Sequence, residues 1–315
     1  LNRGRLDEPF GGVQMIFIGD LFQLPPVVTK EDQTRIGSTY GSPYFFAAEA
    51  MSDTPIRTLE LETIHRQKDE DFIALLNNVR ANTVTAQDVE IWQQRHDPYF
   101  DPTDVADHMV HLTTTNKMAK QRNDYELQRL ESTEWMLQAS STGDLGMRRM
   151  PSESTIRVKE GARIMFTTND PARRWVNGSL GTITRIAEQS DSHQPILEVD
   201  LEDGTSVEVQ PHTWEVFEYR EKDGSMEEEV VGSYTQYPIT LAWAVTIHKA
   251  QGKTFDHVLV DVGWGAFAHG QLYVALSRCT TLEGITLLKP FRKKDVIVDR
   301  AVLEFLETSK TNDQS

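Results

Sequence analysis

The chain has 315 residues, of which 38% are hydrophobic and 25% are charged, an ordinary balance for a globular protein with two or three packed units. Its net charge of −16 argues against a uniformly basic surface, and its single cysteine excludes internal disulfides and multi-cysteine zinc sites. The apolar runs are far shorter than the ~20 residues that span a bilayer, and no signal peptide opens the sequence, so we expect a soluble, cytoplasmic protein without a membrane partner.

The first predicted element is a buried parallel strand. An apolar run at residues 14–19 contains β-branched and aromatic members and stops at Asp20, as a strand does at a ligand-bearing sheet edge. Pro25 and Pro26 then indicate a loop. Four apolar residues at helical spacing predict an amphipathic helix from Asp71: Phe72, Leu75, Leu76 and Val79.

Capping residues mark the next two helices. Thr85 and Asp88 resemble a capping box, which predicts that a second helix begins there. Residues 109–112 read as another buried strand, and residues 113–116 supply capping side chains for a helix that runs to about Leu130.

The sequence pattern changes between residues 156 and 237. Asn177-Gly178 and Asp203-Gly204 are turn signals, and they separate short segments that alternate between apolar and polar residues. These segments lie at residues 182–186, 196–201, 206–210 and 214–219. We therefore predict a small all-β module, in which Trp175 and Trp214 are either exposed or part of the core.

A mixed pattern then resumes, so the β module interrupts an α/β domain. The predicted elements are strands at 241–247 and 258–262, a helix at 271–277, a strand at 285–288 and a closing helix from Asp295.

Asp20 and Gln23 are the first candidate site residues. They follow a predicted strand end, which is where open α/β sheets place their ligands. A glutamine there can donate to a phosphate oxygen or orient an attacking water. The alternative is a simple turn.

Two arginines are candidates for contacts with phosphate. Arg66 lies in T-I-H-R-Q, and Arg278 ends a predicted helix in A-L-S-R. A planar guanidinium can bridge two phosphate oxygens and stabilise developing charge, whereas the alternative for each residue is an ordinary salt bridge. If Arg278 is such a finger, Arg278→Lys is expected to lower turnover sharply with near-normal folding.

The densest polar cluster is T-I-H-K-A-Q-G-K-T at residues 246–254, directly after an apolar strand. Backbone N–H groups, Lys249 and hydroxyls at such an edge suit an anionic backbone. The G-K-T triplet is not a phosphate-binding loop, because the required first glycine would fall at Ile247. Asp261 resembles a magnesium-holding carboxylate after its strand, but without that loop a structural role is favoured.

Six motifs follow one another in order: G-D-L-F-Q-L-P-P-V, H-R-Q-K-D-E-D-F, G-A-R-I-M-F-T-T-N-D, V-N-G-S-L-G, A-W-A-V-T-I-H-K-A-Q-G-K-T-F-D and Y-V-A-L-S-R. This series resembles the RecD/Pif-type superfamily-one DNA helicases and runs through nearly the whole chain. The resemblance implies a RecA-like α/β parallel-sheet domain with an inserted SH3-like barrel. It also implies ATP-driven, 5′-to-3′ translocation on single-stranded DNA, with duplex or fork DNA as a further partner.

The resemblance assigns roles residue by residue. Gln23 would sense the γ-phosphate, and Arg66 and Arg278 would be arginine fingers. Asp20 and Gly252 would complete the nucleotide site, with Gln251 and Gly252 coupling it to DNA. The residues implied to contact DNA are Asn116, Thr246, His248 and Lys249. His65 departs from the Phe or Tyr that the family has before Arg-Gln, which leaves the packing beside Arg66 open.

The family's phosphate-binding loop and its Asp-Glu pair for Mg²⁺ are not found in the sequence. We therefore expect a fragment of a helicase that uses ATP with Mg²⁺, inactive as an ATPase by itself and monomeric. The expected divisions are the end of a first RecA-like domain at 1–56, a second at 57–155 and 237–292, the barrel at 156–236, and a closing helix and tail at 293–315. The alternative is a non-enzymatic remnant that binds single-stranded DNA.

Overall fold

The computed structural model describes residues 8–28, 30–52, 56–61, 63–101, 109–145, 150–189, 192–222 and 225–312. The chain forms two compact units. Unit 1 comprises Leu1–Thr114 and Thr246–Ser315, and unit 2 comprises Thr115–Val245. Within the described residues, no helix is both long enough and apolar enough to cross a membrane.

The helices are α1 (Lys30–Thr39), α2 (Glu49–Ser52), α3 (Glu70–Arg80), α4 (Ala86–Gln93), α5 (Asn116–Arg129), α6 (Gln271–Leu276) and α7 (Arg300–Asn312). The strands are β1 (Met109–Thr113), β2 (Trp135–Gln138), β3 (Ser140–Gly143), β4 (Thr155–Val158), β5 (Arg163–Phe166), β6 (Leu180–Gln189), β7 (Ser192–Leu201), β8 (Ser206–Val209), β9 (His212–Lys222), β10 (Ser225–Gln236), β11 (Ile239–Leu241), β12 (Ala244–Thr246), β13 (His257–Asp261) and β14 (Ile285–Leu287). Short 3₁₀ turns lie at Pro9–Gly12, Phe45–Ala47 and Lys293–Asp295.

Strands β1, β13 and β14 of unit 1 pair parallel to one another, in a four-stranded sheet of order β12-β1-β13-β14. In the β1–β13 ladder, Met109 pairs with His257 and Thr113 with Asp261, so both strands end at the same edge. The strands are almost continuously apolar because helices cover parallel sheets on both faces. Polar segments therefore leave this sheet at its carboxyl edge, where α/β proteins carry their sites.

Helices α3 and α4 form where the sequence predicts them. Asp69 caps α3 by accepting a hydrogen bond from the Phe72 N–H at 2.9 Å, and all four predicted apolar side chains of α3 are buried. Each such burial stabilises the fold by about 1.5–3 kcal/mol. The predicted capping box is present at α4, with Thr85 and Asp88 exchanging hydrogen bonds.

Unit 2 is mainly β structure. An antiparallel sheet of order β11-β5-β6-β7-β8 surrounds the main apolar cluster of the unit, and a second sheet has the order β3-β10-β9. The segments predicted at 182–186, 196–201 and 214–219 lie within β6, β7 and β9. The segment predicted at 206–210 is covered by β8 except for its last residue. Trp175 is buried in the core and stacks on Phe166 with ring centroids 4.4 Å apart, while Trp214 is half-buried.

The strand predicted at residues 14–19 is wrong. The segment has no strand assignment, and Ile16 and Ile18 are 75% and 93% exposed. No strand in the described part of the chain pairs with it. An apolar run becomes a strand only where neighbouring strands take its backbone hydrogen bonds, and that condition is not visible in composition.

Two further predictions need correction. The strand predicted at 241–247 is divided between β11 and β12, because Leu241 pairs antiparallel with Ile164 whereas β12 belongs to the four-stranded sheet. The closing helix begins at Arg300, not at Asp295, since Asp295 lies in a 3₁₀ turn and pairs with Arg292 at 2.7 Å.

Candidate functional site

Asp20 and Gln23 form a self-supporting turn in unit 1. The carboxylate of Asp20 accepts hydrogen bonds from the Phe22 N–H and from the Gln23 Nε2, each at 3.1 Å. Gly270 packs against the turn with a φ of +68°, and a Cβ there would lie 2.8 Å from the Gln23 carbonyl carbon. Only glycine fits this position, so the start of α6 holds the turn in place.

Gln23 also meets the polar cluster at residues 246–254. The Nε2 of Gln251 donates a hydrogen bond to the Oε1 of Gln23 at 3.3 Å, although the residues are 228 positions apart. Gly252 follows with a φ of +81°, and a Cβ there would meet nothing within 4 Å. The structure thus brings Asp20, Gln23, Gln251 and Gly252 into one region.

Arg66 connects the H-R-Q segment to the end of α6. Its Nε donates to the Thr254 hydroxyl at 2.9 Å, and its Nη1 donates to the Ser277 carbonyl at 3.0 Å. Gln67 adds bonds to the carbonyls of Ser277 and Cys279 at 3.2 and 2.8 Å. Arg66 is only half-buried, and burial lowers its pKa. Its guanidinium therefore keeps access to solvent while its position is fixed.

Arg278 is 1% exposed and occupies the interior of the same region. Its guanidinium donates to the carbonyls of Val274 and Lys253 at 3.0 and 3.3 Å, and to the Ser277 hydroxyl at 3.0 Å. Burial, and next the charge of Arg66, lower the pKa of Arg278 to about 10. This geometry differs from that of an exposed helix-terminal salt bridge.

Arg80 and Tyr273 complete the region and were missed by sequence reasoning. Arg80 lies 3.4 Å from the Asp20 carboxylate and 4.3 Å above the Phe22 ring. Burial raises the pKa of Tyr273, Asp20 raises it further, and the nearby arginines oppose them. Three guanidinium groups, those of Arg66, Arg80 and Arg278, therefore lie near Tyr273 together with the Asp20 carboxylate, and Glu60 lies 3.9 Å from Arg80. The excess positive charge favours an anion with several oxygens.

The residues expected to contact DNA are divided between the units. Thr246 is buried and anchors a tight turn, accepting hydrogen bonds from the N–H groups of Lys249 at 3.4 Å and Ala250 at 3.0 Å. Burial lowers the pKa of His248, while burial and the charge of Lys249 lower that of Lys253 to about 8. Asn116 is exposed at the first turn of α5 in unit 2.

Asp261 is engaged within the fold. Its carboxylate accepts a hydrogen bond from the Gly263 N–H at 2.8 Å and lies 3.7 Å from the His111 Nε2. Burial alone would raise the pKa of Asp261, but interactions with His111 and Gly263 outweigh it and leave the pKa lowered. Among the described residues, no group of three or more His, Cys, Asp and Glu side chains is arranged to hold a metal ion.

A separate cavity of about 250 Å³ lies in unit 2. Its lining includes Asp170, Arg174, Trp175 and His212, and Arg174 forms a two-point ion pair with Asp170. None of the predicted site residues lines this cavity.

Comparisons with known proteins show which family this chain resembles. A model of PIF1-like helicases matches residues 1–90, and a model of the UvrD-like helicase C-terminal domain matches residues 241–282. The structure of Bacteroides Pif1 bound to single-stranded DNA is 34% identical, with a TM-score of 0.74, over 97% of this chain and 69% of that one. The chain belongs to the Pif1-like helicase family.

Other members of the Pif1-like family extend the comparison. The chain is 30% identical to the ATP-dependent DNA helicase PIF1 of Xenopus laevis over 96% of its length, and 30% identical to Pif1 of Bdellovibrio bacteriovorus over 94%. It covers 45% and 62% of those two proteins, so it spans about half the length of the curated relatives it matches. Pif1 of Candida albicans is 28% identical, with a TM-score of 0.75.

Proposed function

We propose that this chain forms part of an ATP-driven DNA helicase that translocates 5′ to 3′ on single-stranded DNA and unwinds duplex or forked DNA as a monomer. The observation that carries the proposal is the Gln23–Gln251 hydrogen bond inside a cluster of Arg66, Arg80 and Arg278. It joins the residue expected to sense nucleotide to the segment expected to contact DNA. Relatives named as ATP-dependent DNA helicases support this assignment.

The roles follow from access and charge. Arg66 is the accessible guanidinium, and it can turn toward phosphate oxygens by exchanging its hydrogen bond to Thr254. Arg278 is enclosed, so it acts on a nucleotide only when its bonds to the Val274 and Lys253 carbonyls are exchanged. Burial, and next the charge of Arg66, lower its pKa, so a bound anion would stabilise the charged guanidinium against both effects.

Magnesium ligands are not assigned to the residues described. Asp261 accepts a hydrogen bond from the Gly263 N–H and lies 3.7 Å from the His111 Nε2, and no group of three or more His, Cys, Asp and Glu side chains among the described residues is arranged to hold a metal ion. We therefore derive no magnesium step from this chain. A solved Pif1 from Bacteroides in complex with ADP-AlF3 and single-stranded DNA supports nucleotide use in the family.

We further propose the domain divisions expected from sequence, with RecA-like parts at 1–56 and at 57–155 with 237–292, and a closing helix and tail at 293–315. The segment 156–236 would be an SH3-like barrel. The five-stranded antiparallel sheet of unit 2 supports the barrel, because its strands contribute Ile164, Ile183 and Val199, among others, to one apolar cluster.

The test is DNA-stimulated release of phosphate from ATP, measured on this chain and on the longest natural protein that contains it. We expect turnover in the longer protein and its loss on Arg66→Lys, which keeps the charge but not the planar two-oxygen geometry. Binding of single-stranded DNA without turnover in either protein would favour the alternative, a non-enzymatic DNA-binding remnant. Absence of both activities would refute the proposal.

A further inference from the structure

The loop between β13 and α6 presents two aromatic side chains to solvent. Trp264 is 101% exposed and Phe267 is 63% exposed. Tryptophan is among the most buried residue types on average, and its side chain can bury roughly 150–250 Å² against a partner. An indole held fully in water is therefore a candidate contact surface.

The loop is held in place by the surrounding fold. The N–H of Gly265 donates to the Val262 carbonyl at 2.9 Å, and the Nη2 of Arg292 donates to the Trp264 carbonyl at 3.0 Å. Arg292 is itself fixed by two hydrogen bonds to Asp295, which is 3% exposed. Gly265 has a φ of +143°, and a Cβ there would lie 2.7 Å from the Asp295 carboxylate. The backbone thus presents the indole in a defined position.

Positive charge adjoins this loop. The segment that supplies Arg292 reads K-P-F-R-K-K at residues 289–294, and the side chains of Lys289, Lys293 and Lys294 are exposed. The charge of Lys289 lowers the pKa of Asp261, so Lys289 lies near Asp261 at the start of the loop. Of the two described carboxylates nearest in sequence, Asp295 pairs with Arg292, and Asp261 accepts a hydrogen bond from the Gly263 N–H.

We propose that Trp264 is a stacking platform for an unpaired base of single-stranded nucleic acid, with Lys289 and Lys294 contacting the phosphates beside it. Aromatic faces combined with nearby cations are the general means of binding single strands without sequence preference, since every base offers a π-face. The net charge of the chain is −16, but this local basic patch is complementary in charge to a polyanion. This inference rests on the proposed DNA binding and adds a contact that the six motifs do not include.

The experiment compares two ligands of equal length and charge, a thymidine oligonucleotide and an abasic oligonucleotide, by fluorescence anisotropy with the 315-residue chain. We expect Trp264→Ala to weaken binding of the thymidine strand by roughly 5- to 100-fold and to leave binding of the abasic strand unchanged. Trp264→Phe keeps an aromatic ring, so we expect it to weaken binding of the thymidine strand less than Trp264→Ala does. Met136→Ala, which changes a side chain 64% exposed in unit 2, is the matched control and should bind as the wild type.

A His248→Ala, Lys249→Ala double variant separates this inference from the proposed function, because it should weaken both ligands equally. Wild-type binding with no effect of Trp264→Ala overturns the inference and leaves the proposed function standing. Equal loss for both strands overturns stacking as the mechanism. Failure of the wild-type chain to bind either strand overturns the proposed DNA binding itself. Because the indole is fully exposed, Trp264→Ala should melt as the wild type does.

Discussion

Arg278→Lys tests the interior of the candidate site. The guanidinium is 1% exposed and donates to two carbonyls and one hydroxyl. Lysine keeps the charge but has one nitrogen in place of the planar fork, so at least one buried acceptor loses its partner, at about 1–3 kcal/mol each. We expect the unfolding free energy to fall by roughly 1–6 kcal/mol, which counts one or two lost partners. This expected loss of stability replaces the near-normal folding that the sequence alone led us to expect for Arg278→Lys.

The assay is urea unfolding with and without ATP, which carries the γ-phosphate that an arginine finger contacts, and Arg95→Lys is the matched control. Arg95 also donates to two carbonyls, those of Ile285 at 2.9 Å and Glu283 at 2.6 Å, but it lies outside the arginine cluster. A ligand at a hundred times its Kd stabilises the folded state by about 2.7 kcal/mol. We expect the wild type and Arg95→Lys to gain this stabilisation and Arg278→Lys to lose most of it.

Two results would refute this reasoning. An unfolding midpoint of Arg278→Lys equal to that of the wild type would mean that the buried hydrogen bonds contribute nothing. Full stabilisation of Arg278→Lys by ATP would mean that the guanidinium has no part in anion binding, even if the fold is weakened. The second result would leave Arg66 as the remaining candidate finger.

Three further predictions address the neighbouring residues. In the longer natural protein, Gln23→Ala and Gln251→Ala should each lower DNA-stimulated ATPase activity, and their double variant should show little added loss in a double-mutant cycle. Additive losses would mean that the hydrogen bond does not couple the two residues. Gly270→Ala should destabilise the chain by about 1–3 kcal/mol in a urea titration, since a Cβ clashes with Gln23 and φ is +68°, and an unchanged midpoint would contradict this packing. The pKa of Lys253 is lowered to about 8, and a bound phosphate should raise it, so DNA binding at pH 8.5 should take up protons and weaken as pH rises. Calorimetry in buffers of different ionisation enthalpy should detect this proton uptake, and Lys253→Met should remove it.

Local signals predicted the helices well. Helices α3, α4 and α5 are set by capping side chains and apolar spacing within about a dozen residues, and all three begin at or within one residue of their predicted starts. Residues 14–19 show the limit of such signals, because β structure requires a partner strand that composition cannot supply. The division of residues 241–247 has the same origin, since the neighbours of Leu241 and Thr246 lie in different sheets.

The motifs predicted which residues belong together. Asp20, Gln23, Arg66, Gly252 and Arg278 all lie in unit 1, and their roles at a nucleotide stay predictions. Arg80 reads in sequence as an ordinary basic residue in the last turn of α3, and only the fold places it beside Asp20. Solvent exposure is equally invisible in sequence, so neither the enclosure of Arg278 nor the exposure of Trp264 could be predicted.

The turn at residues 246–254 provides a physical route by which nucleotide and DNA would affect each other. Its backbone bonds are short in range, with Ala250 donating to Thr246, Gln251 to His248 and Lys253 to Ala250, at 3.0–3.2 Å. These bonds connect the residues from Thr246 to Lys253, so a displacement of Gln251 would be passed to the backbone of His248. We infer that exchange of the Gln23–Gln251 bond for a phosphate contact would in this way reach His248 and Lys249, the residues expected to contact DNA.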